Sequence, residues 1–195
     1  MEGNIKISRA VAYAALAHLT QKRKGTDRPY IYHPLKTMEY LVQMNVGEDL
    51  IVAGVLHDVL EDTAVTYEEL IAEFGERVAQ LVKSHSEDKR KNWKERKMHT
   101  IDLCANAPLD VRLLIMADTM ANLYDTCRDD QEFGDELWKR FKTTKYKQSW
   151  YYYSKVLALE DGIAEKYPAQ YKELCIMYYK VFGMPNQKPY KEKLL

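Results

Sequence analysis

Residues 51–62 read IVAGVLHDVLED, in which six residues without a polar side chain precede four ionisable groups within six positions. The apolar run and its flanks predict a buried helix over about 48–61. On such a helix the ionisable groups fall one turn apart on two neighbouring faces: His57 with Glu61, and Asp58 with Asp62. A buried imidazole and carboxylate are costly unless they are paired or bind a metal. A core histidine bonded to one acid is one interpretation; four such groups in two turns favour a cation site.

The overall composition indicates an ordinary globular protein. The chain has 195 residues, of which 46% are hydrophobic and 30% charged, and its 29 basic residues equal its 29 acidic residues in number. This balance provides no global field for nucleic acid or anionic membrane, so neither is a predicted partner. We find no signal-peptide core and no membrane-length apolar run, which predicts a cytoplasmic protein. Its three cysteines lack CxxC pairing and are predicted to be reduced packing residues.

Apolar residues recur at helical spacing along the rest of the chain, which predicts an all-α fold. Besides the central helix, the pattern places helices at about 7–22, from Pro34 to near Asn45, from Thr66 to Val82 with a break at Gly75, at 93–106, from Leu109 to about Cys127, and over most of 135–182. Thr66 and Glu69 have the spacing of a capping box. His33 is predicted to occupy the cap position just before Pro34.

A second informative stretch, residues 113–123, reads LLIMADTMANL. Asp118 interrupts an apolar helical face there, and Asn122 follows one turn later. An isolated buried aspartate often serves only as a hydrogen-bonding group between packed helices. Together with the groups of 51–62, however, it would add a carboxylate to a cation site.

Two further segments leave alternatives open. Residues 83–97 carry seven basic side chains against three acidic ones, which is typical of a solvated surface but also suits phosphate contacts. The aromatic residues of 135–182 suit helix packing, with base stacking as the less favoured interpretation. We assign a single domain to residues 1–182 and a surface or disordered tail to 183–195.

The spacing of His33, His57-Asp58 and Asp118 resembles the H…HD…D signature of the HD superfamily of metal-dependent phosphohydrolases. The surrounding residues extend this resemblance to the hydrolase domain of RelA/SpoT-type enzymes and small alarmone hydrolases. They are Pro29-Tyr30-Ile31-Tyr32-His33-Pro34, Leu56-His57-Asp58-Val59-Leu60-Glu61-Asp62-Thr63, Phe74-Gly75, Glu87-Asp88-Lys89, and Ala117-Asp118 with Asn122-Leu123. The resemblance covers about residues 8–160. It implies a single helical HD-domain bundle that removes the 3′-diphosphate from guanosine tetra- and pentaphosphate with Mn²⁺.

The resemblance also implies residue roles. The metal ligands would be His33, His57, Asp58 and Asp118, a mixed nitrogen and oxygen set that suits Mn²⁺, Fe²⁺, Co²⁺ or Zn²⁺. Glu61 and Asp62 would orient and deprotonate the attacking water. The small-molecule nucleotide would contact Arg23, Lys24 and Asn122, with Lys89, Arg96 and Lys97 as weaker phosphate-binding candidates.

The chain departs from the family at three cationic positions, which are Ile115, Thr119 and Tyr124 here. We therefore keep two alternatives beside the alarmone 3′-pyrophosphohydrolase. One is a hydrolase of another nucleotide or small phosphoester, and the other is a nucleotide-binding module that does not cleave its ligand. A helical interaction domain with core histidines is a weaker third interpretation. The sequence contains no P-loop, dinucleotide-binding glycine motif or G-x-S-x-G elbow.

Overall fold

The computed structural model describes residues 3–184, and every named element in that range is a helix. In chain order they are α1 (Gly3–Ala17), α2 (Tyr32–Gln43), α3 (Glu48–Leu56), α4 (Val59–Asp62), α5 (Tyr67–Phe74), α6 (Glu76–His85), α7 (Trp93–Asn106), α8 (Leu109–Phe133), a 3₁₀ helix (Gly134–Arg140), α9 (Lys145–Lys166) and α10 (Pro168–Phe182). The predicted all-α class is confirmed. Across the same residues, no helix combines the length and apolar character that a membrane crossing needs.

Backbone contacts divide the chain into two units. The first comprises the chain up to Arg90 together with Pro108–Asp118, and the second comprises Lys91–Ala107 and the chain from Thr119 onward. The assignment of one domain to residues 1–182 stays a prediction. Most of the predicted tail, residues 185–195, lies outside the described residues.

Helix α3 forms the centre of the first unit, where it packs against α1, α2 and α6. Every residue from Val52 to His57 is buried, as expected for a helix that is apolar on all sides. The prediction of an interior helix in this stretch is therefore confirmed. The first ionisable group at its end, His57, is therefore shielded from water.

The predicted continuous helix over 48–61 is wrong at one point, because α3 ends at Leu56 and a separate turn, α4, begins at Val59. The His57 ring accounts for the interruption. Its Nδ1 lies 2.8 Å from the backbone oxygen of Gly54, the atom that would accept the Asp58 N–H in an uninterrupted helix. The side chain thus competes with the helical ladder and ends it.

Two predicted helix boundaries near the N-terminus also differ from the structure. The first helix ends at Ala17 and not near residue 22, because the next turns tighten: Leu19 N–H donates to Leu16 O (3.2 Å) and Gln21 N–H to His18 O (2.9 Å). Tyr30 N–H then donates to Gln21 O across the loop (2.9 Å). His33 lies inside the first turn of α2, whose N-cap is Ile31, and is therefore not the cap residue. Pro34 is still tolerated there, since N–H groups of the first turn have no helical acceptor.

The remaining signals for the ends of helices hold. Thr66 and Glu69 form the predicted capping box at the start of α5. Gly75 separates α5 from α6 with a φ of 87°, a conformation that favours glycine. Helix α7 has the predicted bounds, while α8 continues past the predicted end near Cys127 to Phe133.

The second unit contains α7 and α10 packed on α9. Aromatic rings fill much of it: Phe182 lies 5.5 Å from Trp138 and 5.3 Å from Tyr178, measured between ring centroids. These contacts support helix packing as the role of most aromatic residues there. Lys155 is buried among them, and its Nζ donates to Thr119 Oγ1 at 2.8 Å.

Gly54 on α3 provides a test of the close packing between α2 and α3. A Cβ at this position would overlap Cδ1 of the fully buried Leu41 and lie 3.7 Å from Thr37 Cγ2. We expect Gly54→Ala to lower the free energy of unfolding by about 1–3 kcal/mol through overpacking, as measured by urea denaturation. Gly47→Ser is the control, because no atom lies within 4 Å of its added Cβ and serine is favoured at the N-cap of α3, which Gly47 occupies. An equal loss in both variants would contradict the close approach at Gly54.

Candidate metal centre

Two histidines and two aspartates meet in the first unit. His33 comes from α2, His57 and Asp58 from the junction of α3 with α4, and Asp118 from α8. His33 Nε2 lies 3.1 Å from His57 Nε2, 3.5 Å from Asp58 Oδ2 and 3.2 Å from Asp118 Oδ1. Asp58 Oδ2 also lies 3.0 Å from His57 Nε2. The structure thus brings together all four side chains that the sequence suggested as ligands.

The four separations given above match those between ligands of one divalent ion. Two ligands bound at about 2.1 Å lie roughly 3 Å apart when they subtend a right angle. The His33 and His57 side chains are 2% and 0% exposed, whereas Asp58 and Asp118 keep 14% and 15% exposure. The carboxylates therefore mark the side from which an ion and a substrate can enter. Two carboxylates balance the charge of a divalent cation, so the residues fit such an ion.

One hydrogen bond sets the orientation of the His57 ring. Because a carbonyl oxygen can only accept, Nδ1 must donate the hydrogen that bonds Gly54 O. In the neutral ring this leaves the Nε2 lone pair directed at the other donors, as a metal ligand requires. The same contact that ends α3 therefore prepares His57 to bind a cation.

Strong electrostatic coupling links the four groups. Burial lowers the pKa of His57, but the carboxylates of Asp58 and Asp118 outweigh it and raise that pKa to about 9. Burial lowers the pKa of His33 below its ordinary value. Burial opposes ionisation of both aspartates, yet the neighbouring imidazoles hold the pKa of each carboxyl well below its usual range. Without an ion, one proton on the histidine pair supplies positive charge to the centre.

Glu61 and Asp62 lie just beyond this cluster, on the single turn α4. The Glu61 carboxylate accepts the N–H of Glu87 at 3.2 Å. Lys89 donates to Glu61 O (2.6 Å) and to Asp62 Oδ1 (3.1 Å). Its role as a phosphate contact stays a prediction. Burial raises the pKa of the Glu61 carboxyl; Glu87 and Asp62 add to this increase, and the hydrogen bond from Glu87 N–H opposes it.

Tyr30, which was not among the predicted site residues, contacts the centre through its hydroxyl group. Its hydroxyl donates to Asp58 Oδ2 at 2.7 Å and lies 3.4 Å from Asp62 Oδ2. Gln21 contributes on the same side, since its amide donates to Asp62 O at 2.5 Å. These contacts connect the loop before α2 to both predicted groups of acids. Tyr30 stands three residues before His33, and this closeness in sequence to a predicted ligand is the feature that could have indicated its role.

His85 is the second residue that sequence reasoning missed. It is the last residue of α6, and its Nε2 lies 3.7 Å from Asp118 Oδ2. Its ring centroid is 5.1 Å from that of His57, at an interplanar angle of 80°. Within residues 3–184, His57, His85 and Asp118 form one group whose donor atoms could hold a metal ion, with all three atoms within 4.8 Å of one another.

The other predicted substrate contacts are spread over both units. In the first unit, the Arg23 guanidinium lies 5.6 Å from the Tyr30 ring centroid, and Lys24 is exposed. In the second unit, Lys97 Nζ lies 4.8 Å from the Tyr151 ring centroid. The remaining two candidates, Arg96 and Asn122, are half-buried residues of the second unit. Their roles toward a substrate stay predictions.

The positions that depart from the family pattern have three different environments. Ile115 is 1% exposed and belongs to the core of α8, so a cation there would be buried. Tyr124 is 42% exposed. Thr119 is fully buried and accepts the hydrogen bond from Lys155. The ammonium group of Lys155, on α9, therefore lies next to this third position.

Fold and donor set together define a helical protein with a buried His/Asp site suited to a divalent ion. The sequence matches the HD domain family over residues 10–132. The chain therefore belongs to the HD domain family, and the resemblance stated from its motifs is confirmed.

Individual relatives support the same assignment. The guanosine-3′,5′-bis(diphosphate) 3′-pyrophosphohydrolase of Aquifex aeolicus is 49% identical over 77 residues, which are 40% of this chain and 11% of that protein. The chain thus spans about a tenth of that relative. The Xenopus tropicalis protein with the same activity in its name is 32% identical over 145 residues, 73% of this chain and 79% of that protein. A solved structure of a metazoan SpoT ortholog, described as hydrolysing ppGpp, matches with a TM-score of 0.74 and 25% identity, covering 92% of this chain and 97% of that one.

Removal of one donor tests whether the four side chains bind an ion. We expect Asp58→Ala to weaken Mn²⁺ binding by more than about 100-fold. Removing a residue that only hydrogen-bonds to a ligand costs about 10- to 100-fold, and removing the ligand itself should cost more. It should also destabilise the metal-free fold by about 3 kcal/mol, since His57 then loses its nearest carboxylate. Calorimetric titration and urea denaturation measure the two effects. Asp102→Ala, at an exposed site on α7, serves as the control, and full Mn²⁺ occupancy in Asp58→Ala would contradict the assignment.

Metal binding should release a proton. The His57 pKa of about 9 means that its ring is protonated at neutral pH in the metal-free protein, whereas a ligating imidazole must lose that proton. We therefore expect Mn²⁺ affinity to rise roughly tenfold per pH unit below about pH 9 and then to level off. Titration calorimetry in two buffers of different ionisation enthalpy measures the proton release. Affinity that is independent of pH between 6.5 and 8.5 would contradict this coupling.

Proposed function

We propose that this protein is a divalent-metal-dependent phosphohydrolase acting as a guanosine-3′,5′-bis(diphosphate) 3′-pyrophosphohydrolase. The observation that carries the proposal is the convergence of His33, His57, Asp58 and Asp118 beside the acidic pair on α4. The activity named for relatives that align over most of their own length, such as the Xenopus protein, supports the substrate class. Mn²⁺ is the proposed ion, and a cytoplasmic location stays a prediction.

His33, His57, Asp58 and Asp118 would hold a divalent ion, which would supply Lewis acidity and make water a stronger acid. The protein's own residues then determine where protons move. Water adds to the phosphorus next to the 3′ oxygen, the bond between that phosphorus and the 3′ oxygen breaks, and pyrophosphate and guanosine diphosphate leave. The proton lost by water goes to a carboxylate, and the 3′ oxygen gains a proton on departure. A base beside the donor set is therefore required.

Glu61 is the proposed base. Its side chain is 22% exposed, so it is shielded from bulk water while remaining accessible at one edge. Its raised pKa brings it closer to neutrality, where a carboxylate transfers protons more effectively. The N–H of Glu87 fixes Oε2, and Oε1, which lies 3.9 Å from Lys89 Nζ, is the oxygen proposed to accept the proton of water.

Asp62 is the proposed partner that orients the water and the base. Tyr30 and Lys89 approach its two carboxylate oxygens, at 3.4 Å from Oδ2 and 3.1 Å from Oδ1. These contacts hold the side chain in one orientation. The Lys89 ammonium also partly neutralises the acids of α4, which limits their repulsion toward an incoming phosphate.

Another nucleotide or a small phosphoester is the second candidate substrate. It is favoured because Ile115 and Tyr124 stand at positions where relatives resembled by this chain carry cations. Of the two, Ile115 is buried in an apolar core. A site with fewer cations would hold a diphosphate less strongly than its relatives. A nucleotide-binding module without turnover remains the third possibility to be tested, and the presence of both Glu61 and Asp62 argues against it.

A nucleotide panel with a matched variant tests the proposal. With Mn²⁺ we expect guanosine-3′,5′-bis(diphosphate) to be the preferred substrate and pyrophosphate, not orthophosphate, to be released. Glu61→Gln should lower kcat by about 100- to 10,000-fold through loss of the base, with unchanged Mn²⁺ binding. Glu165→Gln, an exposed glutamate of α9, should retain full activity. Faster cleavage of another phosphoester would favour the second candidate, and binding without product would favour the third.

A further inference from the structure

We infer that His85 is a fifth donor to the same ion, which makes the centre a set of three imidazoles and two carboxylates. This inference rests on the metal-centre part of the proposed function and concerns which metal the site prefers. It does not depend on the identity of the substrate.

The position of His85 on its helix is unusual for a histidine. Helix α6 is amphipathic, and Val78, Leu81 and Val82 form its buried face. His85 follows Val78 by seven residues and Val82 by three, so it falls on the same apolar face. An aliphatic side chain would satisfy helix packing there. Burying an imidazole instead is costly unless it has a partner, so its place on this face calls for a specific role.

The distances place that role at the metal centre. His85 Nε2 is 3.7 Å from Asp118 Oδ2, which is too long for a hydrogen bond between these two atoms. Two ligands of one ion, each about 2.1 Å from it, lie between roughly 3 Å and 4.2 Å apart depending on their angle. The observed separation falls within that range. This distance identifies Nε2 as the His85 ring nitrogen next to Asp118, whereas Nδ1 is buried.

Asp118 connects His85 to the other donors. Its Oδ1 lies 3.2 Å from His33 Nε2 and 3.7 Å from His57 Nε2, while Oδ2 faces His85. The three imidazoles therefore surround a single carboxylate on both of its oxygens. Among the described residues, the donor atoms of His57, His85 and Asp118 lie within 4.8 Å of one another, as do those of His33, His57 and Asp58. His57 belongs to both groups, so one ion shared by the two groups would have all five donors.

A third imidazole changes the metal preference in a defined direction. Imidazole nitrogen suits Fe, Co, Ni, Cu and Zn, whereas Mg²⁺ and Mn²⁺ are better served by carboxylate, carbonyl and water. His85 should therefore strengthen binding of Co²⁺ and Zn²⁺ more than binding of Mn²⁺. The protein is expected to bind Co²⁺ more tightly than Mn²⁺, and His85 should contribute part of this difference.

Paramagnetic proton NMR of the Co²⁺-loaded full chain tests the inference directly. Each ligating imidazole gives one strongly shifted, exchangeable ring N–H signal, so we expect three signals in the natural protein and two in His85→Gln. The Co²⁺ dissociation constant of that variant should rise about 10- to 100-fold, with a smaller rise for Mn²⁺. His99→Gln is the control, because His99 is exposed on α7; it should leave the signals and both dissociation constants unchanged.

Each outcome decides the matter. Two shifted signals in the natural protein, or an unchanged signal count in His85→Gln, overturns the assignment of His85 whatever the activity. Three signals in a protein that cleaves no nucleotide would support this inference and reject the proposed function. Absence of Co²⁺ binding in a protein that still binds Mn²⁺ would reject this inference alone, and absence of binding to both ions would reject the proposed function as well. If His85→Gln does not fold by circular dichroism, the signal count of the natural protein decides, and His85→Val offers a second variant suited to the apolar face.

Discussion

The centre depends on one short hydrogen bond, from His57 Nδ1 to the backbone oxygen of Gly54. By occupying that oxygen, the ring ends α3 and allows the chain to turn before α4. The turn brings Asp58 beside the two ring nitrogens instead of leaving it on an outer face of a continuing helix. A local competition between side chain and backbone thus creates the site at the end of a buried helix.

The surrounding residues reduce the cost of placing charge in an apolar environment. The His57 pKa is raised and those of Asp58 and Asp118 are lowered, which shows how strongly opposite charges favour each other there. A divalent ion would stabilise the two carboxylates in the same way, with a larger positive charge and at fixed ligand distances. Tyr30 then holds the carboxylate of Asp58 by a hydrogen bond at 2.7 Å, so its orientation does not depend on the ion alone.

Local sequence signals predicted much of the fold because they act over a few residues. The apolar run before His57 requires an interior helix, and the capping box at Thr66 starts α5 by satisfying its own first N–H groups. The helix ends near His57 and Ala17 were mispredicted. At His57 the side chain bonds Gly54 O, and after Ala17 the N–H groups of Leu19 and Gln21 donate to carbonyls three residues back instead of four. Spacing alone does not contain these competing partners.

The sequence by itself determined the chemistry available: two imidazoles and two carboxylates at apolar positions, which are costly to bury without a cation, together with a family motif. Only the tertiary structure decided which side chains meet. It brought His33 and Asp118 to within 3.2 Å of each other across 85 positions of the chain, added His85, and paired Lys89 with Asp62. The reason is physical: helical periodicity specifies the face on which a residue lies, whereas the packing of α2, α3, α6 and α8 specifies which faces share a space.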